Sequence, residues 1–189
     1  MGVDPGLTRC GVGIVRGGVG TPLELLGVGV IRTPSDLDHG ARLLRIHDGL
    51  EEWFDAHHPD AMAVERVFAQ HNRSTVAGTA QAMGLTQMIG ARHGVAVGVH
   101  TPSEVKAAIS GSGRADKAQV GLMVARVLHL EKPPTPADAA DALALAITHI
   151  WRGGTQSRIE GAMAVHQHSP ARTWRQRSAP RTRQDHHLR

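Results

Sequence analysis

Two short apolar runs, Ala61–Val64 and Val95–Val99, constrain the fold of this chain more than any other feature, because each is reached through a helical stretch. A continuously apolar strand is stable only where both its faces are covered, as in a parallel or mixed sheet between helices. The first of those helices follows Ser35-x-x-Asp38, which has the form of a capping box. It carries Leu43, Ile46, Leu50 and Trp53 at helical spacing and runs to about His57. The second spans roughly residues 72–92, with Val76, Ala80, Met83 and Met88 on or near one face. Ahead of both, Met1–Val15 reads as two strands joined through an Asp-Pro-Gly turn, and a third strand-like run lies at Leu23–Ile31.

Three helical stretches complete the pattern. Thr101-Pro102-Ser103-Glu104 combines a cap, a proline at the first helical position and a capping glutamate. The next helix starts near Asp116 and carries Val120, Met123, Val124 and Val127. The last starts at Thr135-Pro136-Ala137-Asp138 with the same cap chemistry, and its apolar stripe is Leu143, Ala146, Ile147 and Ile150. This order predicts an α/β fold, a mixed five-stranded sheet flanked by helices on both faces, with the two later strands parallel to the first. Beyond Trp151 the periodicity ends, so one domain is expected over residues 1–151 and a basic, disordered tail over residues 152–189.

That tail decides the charge balance. Of 21 Lys and Arg residues, eight arginines lie from Arg152 onward, against only Glu160 and Asp185; the first 151 positions keep thirteen bases and fifteen acids. The net charge of +4 therefore describes the tail, and a nucleic-acid partner is permitted by the folded part rather than demanded. One cysteine, Cys10, rules out an internal disulfide and fits a reducing, cytoplasmic compartment. No apolar run of about eighteen residues and no charged-then-apolar leader is visible, so no membrane partner is expected.

Four acids occupy positions that stability alone does not call for. Asp4 ends the first strand and Glu65 the fourth, each after apolar residues; Asp138 and Asp141 stand three apart in the first turn of the last helix, on one face. In parallel sheets, ligands bind at the carboxyl ends of strands, which is where one topology would gather all four. Clustered carboxylates need cations to neutralise them, and hard oxygen donors select magnesium or manganese. Acids shared between two ions about 3.5–4 Å apart suit two-metal phosphodiester hydrolysis. Each acid also has a plainer reading: Asp4-Pro5-Gly6 as a turn, Glu65 as a solvated strand end, Asp138 as the capping partner of Thr135, Asp141 as an ordinary first-turn acid.

The segments GVDPGLTRCG, AVERVF, DKAQV and PADAADALALAITH resemble, in content and order, the RuvC family of Holliday-junction resolvases, over about residues 1–151. The resemblance implies a ribonuclease-H-like core and a homodimer, paired through the second helix, that binds four-way DNA junctions. It implies symmetric, magnesium-dependent nicking of two strands of like polarity that leaves 5′-phosphates, with manganese as a substitute ion, and cooperation with the RuvA–RuvB branch-migration complex. On this likeness Asp4, Glu65, Asp138 and Asp141 match the acidic metal-binding site. Phe68 matches an aromatic that disturbs base stacking near the crossover, although alone it would read as core. Lys106 and Lys117, two of only three lysines, match basic residues near the scissile phosphate, and Arg66, Arg73 and Arg114 extend that basic surface. Gly111-Ser112-Gly113 lacks P-loop spacing and reads as a flexible loop, and the His57-His58 and His186-His187 pairs read as surface. The competing functions are a nuclease of the same fold acting on RNA or on flaps, a D-x-G-type ATP-binding protein, and a catalytically silent junction binder.

Overall fold

The computed structural model describes residues 1–67 and 73–164, with side chains described for 1–67 and 76–153. Phe68 and the side chain of Arg73 lie outside the described residues. The chain divides into two units, Met1–Gln156 and Ser157–Arg189. The first contains β1 (Gly2–Asp4), β2 (Arg9–Arg16), β3 (Glu24–Arg32), α1 (His39–His57), β4 (Met62–Glu65), α2 (Arg73–Arg92), β5 (Val97–His100), α3 (Pro102–Ser110), α4 (Lys117–Val127) and most of α5 (Ala137–Ala164). The sheet order is β3-β2-β1-β4-β5. β1 and β2 pair antiparallel, as do β2 and β3, while β1 with β4 and β4 with β5 pair parallel, as expected for strands each reached through a helix. Of the two apolar runs only the first is buried, at Met62, Ala63 and Val64; β5 is the edge strand, so Val97, Gly98 and Val99 are half-buried.

Period-two alternation along the central strands sends different side chains to the two faces. Val3, Cys10, Val12, Ile14 and Met62 face α1 and α2, packing on Ile46, Leu50, Phe54, Ala82 and Ile89. Ala63 and Val15 face the other layer, with Val105 and Ile109 of α3, Val120 and Val124 of α4, and Leu143 through Ile147 of α5. On that second face the strands carry glycines, and α5 lies directly on the backbone. A Cβ added at Gly2 would fall 2.1 Å from the carbonyl oxygen of Ala142, and one at Gly11 would fall 2.1 Å from that of Asp138. The long alanine-rich helix and the glycines beneath it are therefore one packing unit.

Local expectations fail in three places. Ser35-x-x-Asp38 forms no capping box; α1 starts at His39, and Asp38 stands at its N-cap without a side-chain hydrogen bond. Among the described residues, the buried positions of α2 are Gly78, Ala82, Thr86, Ile89 and Gly90, whereas Ala80 and Met88 are exposed. Met88 thus lies on the outward face and Met83 is half-buried, and small residues sit inward because α2 packs close to the sheet, where a Cβ at Gly90 would fall 2.2 Å from Val97. Finally, α5 continues to Ala164, past the end of its apolar stripe at Trp151. The cap of α3 forms as expected, Thr101 with Glu104 in a full capping box, and α4 has a second such box, Asp116 with Gln119, that the sequence reading did not single out. Gly111 closes α3 with a left-handed conformation, φ 77°, so the Gly-Ser-Gly segment is a helix cap. Among the described residues, no helix is long and apolar enough to cross a membrane.

Candidate active site

The register of the sheet places the acids. Val3 pairs with Val64 across the parallel β1–β4 ladder, so Asp4 and Glu65 are the next residues of adjacent strands and emerge side by side at their carboxyl ends. The α5 helix, seated on Gly2 and Gly11, brings its first turn over that same edge. Asp4, Glu65 and Asp141 consequently line one cavity of about 210 Å³, together with Pro102, Val105, Lys106, Lys117 and Val120. The capping boxes that start α3 and α4 fix the two lysines: Lys106 lies on α3 and Lys117 is the first residue of α4.

The electrostatics are those of acids crowded out of water. Asp4 is pushed up to about 8, first by burial and then by the charges of Glu65 and Asp141, with Lys117 opposing. Glu65 is raised as well, again by burial first and then by Asp141, while Lys117 and Lys106 pull it down. Lys117 donates from Nζ to Asp141 Oδ2 at 2.7 Å, and that bond holds its ammonium above the ordinary lysine value. One direct ammonium contact does not balance three carboxylates, so the cavity retains a deficit of positive charge.

Asp138 stands apart from the other three. It lines an adjacent cavity of about 330 Å³ with Gly6, Leu7, Thr8, Arg9, Arg42, Gly78 and Thr79. Its Oδ2 lies 3.1 Å from Arg9 Nε, yet that buried oxygen has no partner in hydrogen-bonding geometry. The Asp138 carboxylate is thus turned toward Arg9, and it raises Asp4 only as the smallest contribution. Among the described residues, no three His, Cys, Asp or Glu side chains are arranged as a ready metal cage. Lys117 pairs with Asp141 and Arg9 with Asp138 as internal counter-ions. The donor set nevertheless fits a hard divalent cation: carboxylate oxygens only, an excess of negative charge, and one buried oxygen without a hydrogen bond.

Arg66 and Arg114 are exposed and line neither cavity; Arg66 follows Glu65 directly, and Arg114 lies in the α3–α4 connection. Sequence reasoning missed Arg9 and Arg42, which lie at the start of β2 and in the first turn of α1 without a recognisable spacing. Arg42 clasps the β1–β2 connection by donating to Thr8 Oγ1 at 2.7 Å and to Thr33 Oγ1 at 2.9 Å. It also missed the His100–His149 contact, Nε2 to Nδ1 at 3.0 Å, between residues 49 apart. That pair sits behind the site, since His100 is the register partner of Glu65 on β5.

Comparisons with known proteins agree with this architecture. Residues 1–149 match the family model described as crossover junction endodeoxyribonuclease RuvC. The crossover junction endodeoxyribonuclease RuvC of Cutibacterium acnes is 75% identical over 165 residues, covering 87% of this chain and 84% of that protein. That of Streptomyces avermitilis is 61% identical over 166 residues, covering 88% and 94%. Among solved structures, T. thermophilus RuvC in complex with Holliday junction substrate superposes with a TM-score of 0.77 at 33% identity, covering 82% of this chain and 94% of that one. A family match over nearly all of the first unit, on a fold whose sheet edge gathers three of the four expected acids, means that this chain belongs to the RuvC family of crossover junction endodeoxyribonucleases.

Proposed function

We propose that this chain resolves four-way (Holliday) DNA junctions by symmetric, divalent-metal-dependent hydrolysis of two phosphodiester bonds, leaving 5′-phosphates. The observation that carries the reading is the convergence of Asp4, Glu65 and Asp141 with Lys106 and Lys117 on one cavity at the sheet edge. Asp4, Glu65, Asp138 and Asp141 would hold two magnesium ions, with manganese as a substitute. Such ions lower the pKa of an attacking water and stabilise the leaving oxygen. Asp4, whose ionisation feels the charges of Glu65, Asp141 and Asp138, would hold a cation together with them. Lys106 and Lys117 meet the scissile phosphate, and an ammonium there offsets charge on the non-bridging oxygens. Arg66, Arg73 and Arg114 follow the backbone on either side, and Phe68 stacks on a base near the crossover.

The assembly proposed is a homodimer paired through α2, whose outward face carries the small residues Ala77, Ala80 and Gly84 beside Met88. Two copies place two sites on strands of like polarity, and the RuvA–RuvB branch-migration complex would supply the junction. The proposed compartment is the cytoplasm. Residues 1–151 act as the nuclease domain, and the arginines of residues 152–189 add loose, salt-sensitive contact with DNA.

The test is cleavage of a synthetic four-way junction with a mobile core, in magnesium and in EDTA, with Asp4→Asn beside the wild type. Paired symmetric nicks that require magnesium and vanish in Asp4→Asn, with junction binding retained, are the expected result. Tight binding without nicks by the wild type would contradict the hydrolytic reading. Replacing Phe68 with Ala should slow cutting more than it weakens binding; equal effects would refute stacking.

A further inference from the structure

Arg9 is positioned to control one of the four acids. It is the first residue of β2, two residues from Gly11, on whose Cα the backbone of Asp138 rests. Its side chain is 54% exposed, while that of Asp138 is 18% exposed, so the guanidinium lies over the carboxylate from the solvent side. The ion pair is poorly made: Nε stands 3.1 Å from Oδ2 without the alignment of a hydrogen bond. Charge alone holds such a contact, and a better-matched anion can replace it. The other cation on this cavity, Arg42, has no such freedom, because Thr8 and Thr33 both accept from it.

We propose that Arg9 gates Asp138: its guanidinium closes the carboxylate in the free protein and transfers to a DNA backbone phosphate when the junction enters, which frees Asp138 for a divalent cation. The proposal rests on the metal-site reading above and adds to it an order of events. A guanidinium and a divalent ion cannot both sit against one buried oxygen, because their like charges repel at that range. A phosphate offers the guanidinium two oxygens in a fork geometry that a single misaligned Oδ2 does not. The exchange therefore makes DNA binding and cation uptake mutually favourable, and the coupling acts equally in both directions. Free protein would then carry an incomplete metal set, and the site would fill only on its substrate. Arg9 is a positioning residue in this scheme, since it acts through Asp138.

The experiment is Mn2+ titration of the full chain without DNA, followed by the electron paramagnetic resonance signal of the free ion, for wild type, Arg9→Gln and Arg9→Met. Both variants should bind Mn2+ about tenfold more tightly than wild type, a change of about 1.4 kcal/mol. Adding Asp138→Asn to Arg9→Gln should erase that gain, which a merely structural role for Arg9 would not do. In a parallel measurement in EDTA, the logarithmic salt slope of junction binding should fall by about one in both Arg9 variants, the signature of one lost phosphate contact. Unchanged or weaker Mn2+ binding in both variants, or an unchanged salt slope, would overturn the gate. Failure of every protein to take up Mn2+ would overturn the metal-site reading itself, and the gate with it.

Discussion

Asp4 is where the demands of folding and of chemistry collide. Its carboxyl is raised from 3.8 to about 8 by burial and by neighbouring acids. For an acid whose folded value lies above its unfolded one, stability falls as pH climbs between the two and the full cost is reached above the higher value. Each unit corresponds to about 1.4 kcal/mol. Asp4→Asn should therefore melt at a higher temperature than wild type in EDTA at pH 8, by an amount that shrinks toward pH 4. Magnesium should raise the melting temperature of wild type and leave Asp4→Asn nearly unmoved. A variant less stable than wild type at pH 8 would show that the acid is compensated in some other way. Asp4 and Glu65 were legible in the sequence because each directly follows an apolar strand, and strand ends in parallel sheets have a known direction. The separation of Asp138 was not, since helical spacing puts it on the same face as Asp141 and says nothing of Arg9, which approaches from another strand.

At the scale of elements, α5 against β1 and β2 sets the site. Gly11 has the backbone of Asp138 where a methyl group would go, so Gly11→Ala must push the start of α5 away. Overpacking of this kind costs about 1–3 kcal/mol, and the displacement moves Asp138 and Asp141 from Asp4. The expected outcome is a lowered melting temperature with a larger loss of cleavage than of junction binding. The His100–His149 contact ties β5 to the middle of α5. Burial is the first cause of a lowered value at both rings; Glu104 opposes it at His100, Arg152 adds to it there, and at His149 the other ring adds to it. A base held below its ordinary 6.5 contributes its stability above that value and loses it as pH falls. Thermal melts from about pH 7 to 5 should show a decline that His149→Gln flattens. The capping box at Thr101 was readable because its partner is three residues away, while the histidine contact joins residues 49 apart and leaves no local mark. The face of α2 was misread for a related reason: methionine and valine suggest a core stripe, yet close packing on the sheet selected Ala82 and Thr86.

At the scale of the whole molecule, the charge is divided between residues 1–151, which are slightly acidic, and residues 152–189, which are rich in arginine. Removing residues 165–189, which carry six arginines and Asp185, should reduce junction affinity and its salt dependence while leaving the cutting of bound junction intact. Unaltered salt dependence would show that this stretch does not touch DNA. The strand order has a further consequence, for motion rather than charge. β1 is the third of five strands and is paired on both sides. Protein structure opens from its edges and ends, and the interior of a sheet parts only when the whole domain does. Backbone hydrogens flanking Asp4 should therefore exchange with solvent among the slowest in the chain, although the carboxylate itself faces an open cavity. The acidic edge is built on the last part of the protein to come apart, so partly opened molecules with a frayed β3 still keep Asp4 and Glu65 side by side.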